Sequence, residues 1–195
     1  MATKQAKGVT KTEILNAGMA LFLSKGIKVT VKDVADAAGV SRQMVYQYFH
    51  SRSGLLIALA QQVDETSGCK EQFYQAIQTA EPTQRVCACL SIWFDYVEDI
   101  LALATELIRS RPTDPDAETT YIDRTNNIKV WLSDLFLSLE NSKALKKNTD
   151  INDAVDLTFT IISPQVYELL CNDQEWSHQK IVDHLSKIVI ETFVE

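Results

Sequence analysis

Apolar residues recur three and four positions apart along nearly the whole of this 195-residue chain. That is the repeat of an α-helix, not the alternation of a strand. Six Gly and four Pro leave little material for the many turns of an all-β fold. The fold expected is therefore all-α, with an N-terminal three-helix domain over residues 1–52 and a larger helical domain over 53–195. The apolar stripes predict helices over roughly 10–24, 30–38 and 41–49, and a fourth from Ser51 or Arg52 that serves both domains and runs past Gly68 to about 79. Further stripes predict helices over roughly 83–97, 99–109, 117–139, 150–171 and 176–194.

The first four helices have legible ends. Ile14, Ala17, Gly18, Leu21 and Phe22 make one stripe, stopped at Gly26 as a helix-terminating glycine does. Thr30 is suited to cap a second helix, with Asp33 three residues on to close a capping box. That helix turns Val31, Val34, Ala35 and Ala38 inward and ends at Gly39, and Ser41 caps the next. Two short helices separated by Gly39-Val40 form a helix-turn-helix, since glycine tolerates the left-handed conformation such a turn needs.

At 100° per residue, Val45, Tyr48 and Phe49 fall on one side of the third helix and are expected to pack inward. Gln43, Tyr46, Gln47 and His50 fall on the other, with Arg42 at its margin and no carboxylate among them. Such a face fits the major groove of double-stranded DNA, where Gln pairs with adenine and Arg with guanine through two hydrogen bonds each. Phosphate contacts are expected from the start of the second helix at Thr30, Val31 and Lys32, where unpaired amides and the helix dipole favour anions. Tyr46, His50 and Arg52 complete that set, which fixes the pose while Arg42, Gln43 and Gln47 supply sequence preference. Charge agrees: residues 1–55 hold eight Lys/Arg against three acids, whereas the remaining 140 hold 11 against 23, for a net charge of −7. A basic head on an acidic body suits a protein that offers one end to a polyanion.

The stretch from Gly26 to Leu56, with its Gly-x-x-x-Thr30 entry, Ala38-Gly39-Val40-Ser41 turn and Tyr46-Gln47-Tyr48-Phe49 exit, closely resembles the DNA-binding domain of TetR/AcrR-family regulators. The resemblance covers residues 10–60. It implies a homodimer of nine- or ten-helix protomers, a palindromic operator, and repression relieved by a small ligand. It places Thr30, Ser41, Arg42, Gln43, Tyr46, Gln47 and His50 at positions that touch DNA in the family, and Arg52 where a lysine is commoner. Gln43-Met44 departs from the Gly-Thr frequent there, which bears on the operator and not on the binding mode. Ser163-Pro164-Gln165-Val166-Tyr167 is similar to a segment of some members.

The body carries the remaining expectations. A short reader helix covers few base pairs, so a two-fold dimer reading two half-sites is expected, joined through the last two helices in a four-helix bundle. Ile181, Leu185, Ile188, Val189 and Thr192, facing Val155, Phe159 and Ile162, are the expected interface. The resemblance implies a ligand pocket among the middle helices, for which Trp93, Tyr96, Trp131 and Phe159 are the candidates and an apolar or aromatic effector the expected occupant. Pro164 is expected to kink its helix and open space beside it.

Other chemistries find little support. Cys69, Cys87, Cys89 and Cys171 lack the paired spacing of a zinc site, and no cofactor is expected. His178 and His184 face differently on a helix, and neither a Gly-rich phosphate loop nor a His-Glu-x-x-His motif is present, so an enzyme is not expected. No apolar run reaches the roughly 18–20 residues of a membrane span, and residues 1–11 carry three lysines without a following apolar core, so a cytoplasmic location is expected. The competing reading is a helical protein–protein interaction module that does not bind DNA.

Overall fold

The computed structural model describes residues 10–195; Lys4 and Lys7, counted in the basic head, lie outside the described residues. Ten α-helices follow one another among these residues, with a single isolated bridge between Leu145 and Val194. The first is α1, Lys11–Lys25, capped by Thr10, whose hydroxyl accepts from the Glu13 amide at 3.3 Å while Glu13 accepts from the Thr10 amide at 2.7 Å. A short 3₁₀ turn, Gly26–Lys28, leads to α2, Val31–Ala38. Gly39 takes φ 65°, ψ 32°, which a residue with a Cβ adopts only at a cost, and α3, Arg42–Phe49, follows. The expected helix-turn-helix is present.

Beyond it lies α4, Arg52–Ser67. Its Leu55, Leu56 and Leu59 complete an N-terminal core formed with Ile14, Phe22, Val34, Val45 and Phe49, and its Val63 packs against both this core and that of the body. The helix stops where the sequence was expected to carry it on: Gly68 turns to φ 65° and a separate α5, Cys69–Ala76, begins. A second difference runs the other way. The two helices expected over 83–109 are one, α6, Pro82–Ser110, because after Pro82 at its first turn no Gly or Pro interrupts it. Next come α7, Pro115–Asn141, and α8, Ile151–Ile161.

Pro164 breaks its helix where a kink was expected. Ile162 and Ser163 leave the helical path, and the Ser163 hydroxyl accepts from the Val166 amide at 3.4 Å. Pro164 then opens α9, Pro164–Glu168, at a first-turn position where its missing N–H costs nothing. A wide π-type turn, Leu169–Asp173, leads to α10, His178–Phe193.

The body core joins α5 to α10. It also overturns the expected dimer face. Ile181, Leu185 and Val189 are buried inside the protomer together with Val155 and Ile162, Phe159 is half-buried, and only Ile188 and Thr192 of that set are exposed. The spacing located the packing face of α10 correctly, but α6 and α8 of the same chain occupy it.

Candidate nucleic-acid interface and cavity

On α3 the burial pattern separates framework from presentation. Val45 and Phe49 are buried and Met44 is half-buried, whereas Ser41, Arg42, Gln43, Tyr46, Gln47 and His50 are exposed. Ser41 accepts from the Met44 amide at 3.2 Å, fixing the start of the helix. Tyr48, expected to pack inward, is 39% exposed and its ring is tilted 55° to that of Phe49, with centroids 6.4 Å apart. It sits about 60° round the helix from Val45, on the flank of the buried stripe.

At the start of α2 the capping box is complete. The Thr30 hydroxyl accepts from the Asp33 amide at 3.1 Å, and Asp33 accepts from the Thr30 amide at 2.9 Å and the Thr30 hydroxyl at 2.7 Å. These hydrogen bonds, with Lys25 at 3.1 Å, hold the Asp33 carboxyl down to about 2. Thr30 and Lys32 are exposed, but Val31 is buried, so its side chain cannot reach a phosphate.

Arg52, expected at phosphate, is engaged elsewhere. Its Nη1 lies 2.8 Å from Asp114 and 3.4 Å from Asp116, its Nε donates to the Val29 carbonyl at 3.3 Å, and its Nη2 donates to the Ile27 carbonyl. The Ser53 amide also donates to Asp116 at 3.2 Å. Asp114 doubles as the cap of α7, accepting from the Asp116 amide at 3.0 Å. Burial pushes the Asp114 carboxyl up, but the Arg52 hydrogen bond and charge outweigh it and leave it below its ordinary value. Arg52 is thus a clamp between the N-terminal helices and the α6–α7 corner, and each of its three nitrogens already donates.

The body holds a largely apolar cavity that opens to solvent. Its walls come from α4, α6, α7, Phe159 of α8 and Pro164-Gln165 at the helix break. Phe22 and Ile27 of the reader also reach it. Three of the four candidate aromatics meet there: Trp93 and Tyr96, with centroids 5.9 Å apart, and Phe159. Trp93 is held by a 2.8 Å hydrogen bond from Nε1 to the Ile162 carbonyl, which the break before Pro164 leaves free of the helix. Trp131 is not part of this cavity. It packs against Phe73 in the core, centroids 5.7 Å apart, and borders a separate polar cleft.

Two charged residues that the sequence reading missed stand in the cavity wall. Asp64 of α4 accepts from the Tyr96 hydroxyl and pairs with Nη1 of Arg124 on α7. Burial pushes the Asp64 carboxyl up against the pull of Arg124. A signal existed: Asp64 continues the Leu56-Ala60 stripe four residues on, and Arg124 interrupts the stripe of buried Ala117 and Thr120 and half-buried Ile128.

Residues 14–59 match the family model for bacterial regulatory proteins of the tetR family. The transcriptional repressor LfrR of Mycolicibacterium smegmatis is 38% identical over 78 residues, which cover 40% of this chain and 38% of that protein. The transcriptional activator FasR of the same organism is 34% identical over 90 residues, covering 44% and 39%. The chain thus spans less than half the length of either relative. Over nearly the full length, the fold is similar to the transcriptional regulator FadR of Bacillus subtilis, solved in complex with stearoyl-CoA: TM-score 0.68, 18% identity, 93% of this chain and 98% of that one.

Proposed function

We propose, from the premise that this chain belongs through residues 14–59 to the tetR family of bacterial regulatory proteins, that it is a dimeric, ligand-responsive transcriptional repressor of a palindromic operator. The observation that carries the reading is the outer face of α3. Arg42, Gln43, Tyr46 and Gln47 stand exposed, without a carboxylate, on a helix whose start and inner face are fixed. Gln and Arg there reach base edges, and Tyr46, His50, Ser41, Thr30, Lys32 and the Val31 amide hold phosphates. Arg52 leaves the phosphate set.

A dimer presents two such helices to successive major grooves. The outward faces of α8 to α10, which carry Leu157, Leu169 and Ile188 at 54%, 51% and 44% exposure, supply the apolar surface for it. An apolar or aromatic effector occupies the cavity, and repression follows from occupying a promoter in the cytoplasm. Division after residue 52 separates the reader from the effector-binding and dimerising body.

Gel-shift titration against fragments of the native genome tests this. Affinity is expected to fall steeply as salt rises, through release of counterions from the neutralised phosphates. Arg42→Ala or Tyr46→Ala is expected to weaken operator binding about tenfold or more, the worth of one good base or phosphate contact, with the dimer intact by light scattering. Salt-insensitive binding, or variants that bind as wild type does, would remove the reader role of α3.

A further inference from the structure

The charged residues lining the cavity are Asp64 and Arg124, and their charges decide what it can accept. Asp64, Arg124 and Asn127 line both the apolar cavity and a second, polar cleft on the other side, which is bounded by Glu65, Lys70, Glu71 and Trp131. The Asp64–Arg124 pair is therefore the partition between an apolar chamber and a wet one. Its side chains are mostly withdrawn from solvent, Arg124 to 17% and Asp64 to 24% exposure.

The guanidinium of Arg124 is shared between two carboxylates. Nη1 faces Asp64, while Nε and Nη2 donate to Asp123 at 3.0 and 2.6 Å. One positive charge thus serves two negative ones, and the cleft beyond adds two acids against one lysine. Burial raising the Asp64 carboxyl despite Arg124 agrees with an anion short of countercharge.

A ligand head arriving at this partition meets an asymmetric choice. A cation can take the place of Nη1 at Asp64 while Arg124 keeps its two bonds to Asp123, so every charge stays paired. An anion would have to displace Asp64 or Asp123 from Arg124 and leave a half-buried carboxylate unpaired, which is costly. A neutral head gains neither exchange.

We propose that the effector is an organic monocation with an apolar body, its head paired with Asp64 at the partition and its body in the cavity. This rests on the effector-binding part of the proposed function and deepens it, independently of DNA binding. Binding also carries a consequence for the reader. Asp64–Arg124 and Arg52–Asp114/Asp116 are two ties between α4 and α7, twelve residues apart along α4, or about 18 Å. A cation that replaces Arg124 at Asp64 undoes the far tie and leaves α4 held to α7 by charge only at the reader end.

The test uses three chains of equal length, decylammonium, 1-decanol and decanoate, titrated into the full-length protein by calorimetry without DNA. Decylammonium is expected to bind at least tenfold more tightly than either of the others. Asp64→Asn is expected to reduce its affinity to that of 1-decanol, while decanoate gains because Arg124 is uncovered. If 1-decanol binds as tightly as decylammonium, or decanoate more tightly, or Asp64→Asn leaves decylammonium unchanged, the assignment is overturned. The wild-type ranking stands alone should Asp64→Asn not fold. Failure of all three ligands to bind would overturn the assignment too, and a gel shift on the same preparation reports separately whether DNA binding survives.

Discussion

The backbone of His50 turns through φ 64°, ψ −39°, closed by a 2.7 Å hydrogen bond from the Ser51 amide to the Phe49 carbonyl. This is a tight three-residue turn with positive φ, a strained form for a residue with a Cβ. It lets α4 begin at once against the end of α3, and the approach is close. A Cβ on Gly54 would stand 2.1 Å from the Phe49 carbonyl oxygen, a backbone atom that cannot move aside. Gly54→Ala is therefore expected to cost about 1–3 kcal/mol in urea unfolding, as overpacking does, and to weaken operator binding by displacing α3. His50→Gly is expected to act oppositely on stability, raising it by about 1 kcal/mol as strain is released, and to lower operator affinity because the imidazole is lost. A variant more stable yet weaker on DNA would identify His50 as a residue kept for contact at the expense of the fold.

Helix α2 has only eight residues, short of the roughly 12–15 at which an isolated helix becomes marginally stable in water. Its ends therefore matter as much as its buried face, and its N-terminal box depends on an ionised Asp33. The folded Asp33 carboxyl sits at about 2 against 3.8 ordinarily. A depressed carboxylate stabilises above its unfolded value, and the benefit disappears as pH falls from about 4 to about 2. Asp33→Asn is accordingly expected to melt below wild type at pH 6 and to converge with it near pH 2; a deficit constant across that window would remove the ionised cap as its cause. Ends of this kind are what the sequence makes legible. Thr30 with Asp33, Gly39, Ser41 and Ser51 declare their roles locally, so α1 to the start of α4, and with them the exposed face of α3, could be read directly. The body could not be read so closely, because its features are settled between elements. Nothing near 98 announces that α6 continues, Pro164 does not say whether it kinks or begins a helix, and the α10 stripe does not say which chain covers it. Trp93 and Phe159 reach the cavity and Trp131 does not, although all three look alike along the chain.

Arg52 shows how the whole molecule reassigns a residue. From its position after the reader helix it reads as a phosphate ligand, but the fold brings the α6–α7 corner against it and supplies Asp114, Asp116 and two backbone carbonyls. The two roles differ in what Arg52→Ala does. A phosphate ligand contributes one released counterion, so its loss lowers the slope of log affinity against log salt by about 0.9 and leaves folding and ligand response alone. A clamp contributes no counterion: its loss leaves the salt slope unchanged, and removes about 1–3 kcal/mol of stability as two half-buried carboxylates lose their partner. It also frees α4 at the reader end, so on the proposed function an effector bound in the body would have less hold on the spacing of the two reader helices of a dimer. The clamp predicts that Arg52→Ala binds operator with the wild-type salt slope, unfolds at lower urea, and responds to effector by a smaller change in operator affinity. A lowered salt slope with wild-type stability would return Arg52 to the phosphates and leave the coupling of body to reader to the apolar joint of Ile27, Leu107 and Ala117.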